Sequence, residues 1–235
     1  MAKASSSDSP ELIPLVEDLK GRHPDRIRTA KTLSADRGYD SASNNAWLWD
    51  ECGIKPLIDI RLMWREKETR LLDGKKADNV VYDETGRLYC FCPCSGEQRE
   101  LAYQGFEKDR GCLKYRCPAA AYGSKCEGKS RCGSGSYGEY GRIIRIRLEK
   151  DRRIFTPIPR SSYAWEKGYK RRSAVERVNA RVDGGYRFEK HYIRGHKKME
   201  LRFGLAFLVM LAMALGHIKE GEKEKMRSLV KPRAA

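Results

Sequence analysis

In the stretch LSADRGYDS a short apolar run ends in Asp36, and a Gly-Tyr turn follows at once. A carboxylate at the C-terminal tip of a strand can project into an open site and hold a divalent cation for phosphoryl transfer. The same residue type also makes ordinary turns, because Asp accepts hydrogen bonds from nearby backbone N–H groups. A second carboxylate stands in YKRRSAVE. There Tyr169, Arg172 and Glu176 are spaced i, i+3 and i+7, which puts them on one stripe of a continuous helix. Lys170, Arg171, Arg177 and Arg181 flank that stripe. Glu176 is then either an intrahelical ion-pair partner or a metal ligand whose neighbouring cations hold phosphates.

Cysteine is the third chemical signal. Seven of the eight cysteines fall between Cys90 and Cys132, as Cys90, Cys92, Cys94, Cys112, Cys117, Cys126 and Cys132. MAKASSSDSP has no apolar stretch, so the expectation is a cytoplasmic chain without a secretory signal. In that setting clustered cysteines favour metal over disulfides. The expected site is one structural Zn²⁺ held by Cys92 or Cys94 together with Cys117, Cys126 and Cys132. Buried reduced thiols without metal are the competing reading. Strand alternation would place Cys90, Cys92 and Cys94 on one face, so not all three need be ligands.

The elements that must position these groups read as α/β. SDSPELIPLVEDL opens a helix, with Asp8 or Ser9 as cap and Pro10 in the first turn. A strand ends at Asp36, Asp40 or Ser41 caps a helix over ASNNAWLWDEC that Gly53 stops, and IKPLIDIR forms an edge strand. Short connections between these elements imply a parallel pair. After Arg61 come a charged connector, a hairpin turning at Glu84 to Gly86, the cysteine-rich segment with a Gly/Ser stretch near 132–141, and an alternating strand, RIIRIRLEK. A helix from about Ser161, a final helix over roughly Lys197 to Lys219 and a charged tail complete the chain.

The formal net charge of +16 favours a polyanionic partner, nucleic acid first. The apolar run Phe203 to Leu215 spans thirteen residues. As a helix that is about 20 Å, short of the ~30 Å hydrocarbon core, so it reads as a helix buried in a globular body and not as a membrane anchor.

Taken together, SDSPELIPLVEDL, KTLSADRGYDSASNNAWLWDECGIKPLIDIR and YKRRSAVERVNARV resemble the DDE transposases of bacterial insertion sequences. The similarity is to the branch with the signature Tyr-x2-Arg-x3-Glu-x6-Lys. It implies an RNase H-like core at 8–61 and 160–218, interrupted by a cysteine-rich β insertion at 62–159 and followed by a tail at 219–235. It implies Asp36 and Glu176 as catalytic carboxylates binding Mg²⁺ or Mn²⁺. Tyr169, Lys170, Arg171 and Arg172 become DNA-binding residues. Double-stranded DNA, as element ends and target, is the implied partner, with homo-oligomerisation left open. Where the signature carries Lys, this chain has Asp183. The family's first Asp lies on a strand upstream of the segment resembling Asp8 to Leu19. The resemblance therefore implies a core whose first strands, and first catalytic Asp, come from a missing N-terminal segment. The implied activity is DNA strand cleavage and joining, impaired in this chain alone. The alternative is a non-catalytic, zinc-stabilised nucleic-acid-binding protein. In either case the insertion has little core of its own, and a zinc site worth about 10–16 kcal/mol would stabilise it.

Overall fold

The computed structural model describes residues 8–73, 79–132 and 141–228. Part of the charged connector, most of the Gly/Ser stretch, the first seven residues and the end of the tail lie outside them. The chain divides into two compact units, one ending at Arg171 and the other beginning at Arg172.

The first unit opens with a 3-10 turn, Ser9–Glu11, and helix α1, Leu12–Arg22. Leu12 and Val16, one turn apart, are buried. Asp8 occupies the cap position but makes no capping bond. Its carboxylate lies instead against Gly38, where an added Cβ would stand 2.6 Å from Asp8 Oδ2. Glycine in the Gly-Tyr turn is thus explained by close approach. Helix α2, Pro24–Thr29, leads into strand β1, Thr32–Ala35. Helix α3, Ala42–Asp50, then crosses to strand β2, Lys55–Ile58. The strands are parallel, in the register Thr32↔Lys55 to Ala35↔Ile58, as the short connections predicted. Ser41 caps α3 by accepting from Asn44 N–H at 3.1 Å. Gly53 follows the helix with φ +66°. Buried Asn44 donates to Ser9 O and Tyr39 O at 2.8 and 2.9 Å, tying the Asp36 turn to the N-terminal turn.

The cysteine-rich lobe is two antiparallel sheets. One is β3 (Thr69–Leu71), β4 (Val80–Asp83), β5 (Leu88–Phe91) and β6 (Gln98–Glu100) in chain order. The other is β7 (Ala102–Glu107), β8 (Cys112–Arg116) and β9 (Ile143–Arg147). The β4–β5 turn falls where the sequence placed it: Asp83 Oδ1 accepts from Thr85 and Arg87 N–H, and Gly86 takes φ +83°. In β9 only Ile144 and Ile146 point inward, the alternation read from RIIRIR. A short helix, α4 (Pro118–Tyr122), follows β8.

One expectation fails here. The lobe does not lack a core. Val80, Leu88, Leu101, Leu113, Tyr115, Ile146 and Phe155 belong to one large buried cluster. Neighbouring strands from two sheets supply apolar residues that no single stretch displays. Tyr115 is inside this core, Tyr103 packs on it at 5.4 Å between ring centroids, and Tyr122 is exposed.

The lobe is joined to the α/β part by buried charge. Arg153 bonds Asp40 Oδ2 and Glu84 Oε1, each at 2.9 Å, and the Arg61 carbonyl. Arg160 donates to the carbonyls of Ile58, Arg153 and Ile154. Helix α5, Tyr163–Tyr169, capped by Ser162, then packs on β1 and β2. Gly168 sits so close that a Cβ would meet Leu57 Cδ1 at 2.6 Å.

The second unit contains helix α6, Ser173–Tyr186, and helix α7, His196–Lys219. Val182, Phe188, Ala206 and Met210 form its core, with Phe188 and Phe203 4.2 Å apart. Two sequence expectations are corrected in this region. The signature stretch is not one helix, because a 3-10 turn, Lys170–Arg172, separates α5 from α6. Gly168 is a weak helix former, and three successive cations at the N-terminus of α6 oppose its dipole. Helix α7 has the expected extent but is buried along one stripe only, not all round. Leu201, Leu205, Leu208, Leu211 and Leu215 are exposed. By length and composition it is able to cross a membrane, with 11% of the apolar window buried. Hydropathy reports composition on every face, whereas α6 and the Phe188 turn cover one.

Candidate functional site

Asp36 stands where the sequence placed it, at the C-terminal tip of β1. Its Oδ1 accepts Arg37 N–H at 2.8 Å and caps the Arg37–Tyr39 turn, so the turn-making role is realised. The residue is exposed. Register explains what stands beside it: Ala35 pairs with Ile58, so Asp59 ends β2 at the same level. Arg37 Nη2 bonds Asp59 Oδ2 at 2.6 Å. The Arg37 guanidinium is held above its usual range by the Asp59 hydrogen bond and charge, with smaller contributions from Tyr169 and Asp36. Asp36, Arg37, Asp59 and Tyr169 therefore share one neighbourhood at the tips of the parallel strands. Tyr169 arrives there on α5, stacked on Trp165 at 4.5 Å and 12°.

A cavity of about 410 Å³ adjoins this tip, lined by Asp59, Asp83, Arg87, Arg160 and Trp165 among others. Arg160 is buried, and desolvation lowers its pKa despite the nearby Asp40 and Asp59. Lys170 pairs with Glu166 on the exposed side of α5, and Arg171 is exposed.

Glu176 and Arg172 belong to the second unit. They pair at 2.7 Å, the i,i+4 ion pair that the spacing also allowed, with the Glu176 side chain 56% exposed. Exposed carboxylate oxygens such as those of Asp36 and Glu176 are hard donors suited to Mg²⁺ or Mn²⁺. Among the described residues, the His/Cys/Asp/Glu group whose ligand atoms all lie within 4.8 Å of one another is His217, Glu220 and Glu222.

The cysteines gather at one end of the lobe. Burial, and then the nearby sulfurs of Cys117, Cys132 and Cys126, push the Cys90 thiol up to about 11. Hydrogen bonds from the Ser95 side chain, and from the backbone of Ser95, Cys94 and Gly128, bring Cys92 down to about 7. Cys92 is buried and Cys94 is exposed. Cys112 lies on β8, where its Sγ donates to Arg110 O at 3.1 Å.

Sequence reasoning missed Arg37 and Asp59, although PLID repeats the strand-then-Asp pattern of TLSAD. It also missed Arg142, which donates to Cys132 Sγ at 3.4 Å. A lone Arg before an apolar strand carries no such signal.

The sequence matches the family model described as Transposase DDE domain over residues 1–212. No curated protein matches it. No solved structure matches it either.

Proposed function

Because the chain belongs to the family of transposases with a DDE domain, we propose that it is the DNA transposase of an insertion sequence, cleaving and joining strands by metal-dependent phosphoryl transfer. The supporting observation is a carboxylate, Asp36, at the tip of a parallel strand, with Arg37, Asp59 and Tyr169 around it. The family uses divalent metal ions and acts on DNA.

In this reading Asp36 and Glu176 would be the ligands of Mg²⁺ or Mn²⁺, which would supply Lewis acidity for the attacking and leaving oxygens. The protein side is positioning. Asp59 holds Arg37, and the Asn44 bonds to Ser9 and Tyr39 fix the turn that presents Asp36. Tyr169, Lys170, Arg171 and Arg172 contact phosphates, which orients DNA without reading its sequence. The opposite edge of β1 pairs with no strand among the described residues. That edge is open to a further strand in this reading. The core at 8–61 and 160–218 is RNase H-like, and 62–159 is an insertion with a structural zinc. The chain works in the cytoplasm, away from membranes, on element ends and target DNA, with further copies of itself as candidate partners.

A second reading, a non-catalytic zinc-stabilised nucleic-acid-binding protein, is favoured by the Arg172–Glu176 ion pair, which occupies the second carboxylate. Metal-dependent strand cleavage separates the two readings.

Both readings require salt-sensitive DNA binding. Log affinity should fall with log salt at a slope of about −0.9 per phosphate neutralised. Replacing Lys170, Arg171 and Arg172 together by Ala should reduce that slope by about 2–3 and weaken all sequences alike. Fluorescence anisotropy at several salt concentrations checks this. An unchanged slope would place the phosphate contacts elsewhere.

A further inference from the structure

Two sulfurs at the open end of the lobe, those of Cys92 and Cys132, accept hydrogen bonds as thiolates do, and Cys117 and Cys126 stand near them. Cys92 follows β5, and its backbone is locked in a tight turn: Cys92 N–H reaches Glu97 O at 2.9 Å, and Gly96 N–H reaches Cys92 O at 2.8 Å. That turn aims Ser95 N–H at Cys92 Sγ, 3.5 Å away. From the other side Gly128 presses in, so that a Cβ there would lie 2.9 Å from the same sulfur. Cys126 precedes that glycine, and Arg99 anchors the approach by bonding Lys125 O at 2.7 Å.

Arg142 organises the other two. Its carbonyl accepts Cys117 N–H at 2.8 Å, which fixes the start of α4. Its guanidinium, 4% exposed, donates to Cys132 Sγ at 3.4 Å and to Asn79 Oδ1. A buried cation directed at sulfur is better matched by an anionic sulfur. Cys90 and Cys94 differ. Cys90, though near these sulfurs, packs against the apolar core of the lobe, and Cys94 faces solvent.

We propose that Cys92, Cys117, Cys126 and Cys132 bind one zinc ion, that Cys90 and Cys94 stand outside the shell, and that Arg142 is the buried countercharge to the tetrathiolate. The proposal rests on the zinc reading of the lobe and names its ligands. Four thiolates around Zn²⁺ leave a net charge of −2, which Arg142 and the N–H groups at Cys92 offset in a low-dielectric site. Zn–S distances near 2.3 Å set sulfurs about 3.8 Å apart. No three cysteine sulfurs among the described residues lie within 4.8 Å of one another. In this proposal bound zinc would bring the four sulfurs to that spacing.

The test uses the full chain purified without chelator. Elemental analysis should give about one zinc per chain, and X-ray absorption four sulfurs at about 2.3 Å. Cys94→Ser and Cys90→Ser should keep that zinc, whereas Cys92→Ser, Cys117→Ser, Cys126→Ser and Cys132→Ser should lose it. Arg142→Met should keep the metal at full occupancy but release it to a competing chelator about 10–100-fold more readily. Absence of zinc from the unmodified chain would overturn the zinc reading itself. Zinc present but lost in Cys94→Ser or Cys90→Ser, or fewer than four sulfurs by X-ray absorption, would overturn the ligand assignment alone. Unchanged chelator competition in Arg142→Met would overturn the countercharge.

Discussion

Replacing Arg153 by Met should destabilise the first unit by about 3–5 kcal/mol, the usual cost of removing one partner from a buried ion pair. The side chains involved are sequestered: Asp40 is 0% exposed, Glu84 5% and Arg153 14%. Met fills much of the space but leaves two carboxylates short of their cation. Asp40 would retain Arg61 N–H at 3.0 Å and the Arg160 guanidinium at 3.5 Å. Glu84 would retain the N–H groups of Met63 and Trp64, each at 2.8 Å. Adding Glu84→Gln should recover part of the loss.

The pH dependence has a definite sign. Desolvation pushes the Glu84 pKa up, but bonds from Trp64, Arg153 and Met63 outweigh it and hold the carboxyl below its ordinary value. A depressed carboxylate adds stability above its unfolded pKa, near 4.3, and that stability is lost as pH falls through the folded value. The gap between the unmodified chain and Arg153→Met should therefore be widest near neutral pH and narrow below about 4. Urea unfolding followed by tryptophan fluorescence measures it. Equal urea midpoints at pH 7 would show that the network does not hold the lobe to the α/β part.

Asp36→Asn and Glu176→Gln should each lower metal-dependent strand cleavage by about 10³-fold or more. A metal ligand supplies several kcal/mol of transition-state stabilisation, and each 1.36 kcal/mol is tenfold in rate. DNA binding should survive both changes, or tighten slightly, because each removes a negative charge from a site that meets phosphates. A merely structural role for Asp36 would show the opposite pattern: binding and thermal stability would fall along with cleavage, since Asp36 also caps its turn. Asp59→Asn loosens Arg37 without removing either proposed ligand. It should cut cleavage less, and the effect should appear in kcat before KM.

Local chemistry made much of this legible. Asp36 at a strand tip, the Ser41 cap, the Gly53 stop and the Gly86 hairpin each depend on neighbours within a few residues, and each lies where the sequence put it. The parallel pairing followed from element order and short connections alone. What escaped depends on distant partners. Arg153 meets Asp40 across 113 positions of sequence, and Arg142 meets Asn79 across 63. The lobe's core is assembled from strands that each contribute one or two apolar residues. With that core present, removing zinc should loosen the cysteine end and leave the lobe folded, contrary to the sequence expectation. The interrupted signature helix was illegible because i, i+3, i+7 spacing assumes an unbroken helix, and Lys170–Arg172 break it.

The central claim is that Asp36 serves metal-dependent DNA cleavage. It is tested most directly by incubating the chain with supercoiled DNA carrying the ends of its own element, in Mg²⁺ or Mn²⁺ and in EDTA. The account predicts metal-dependent cleavage that EDTA or Asp36→Asn abolishes. DNA binding without cleavage under every condition, or cleavage that Asp36→Asn leaves intact, would contradict it.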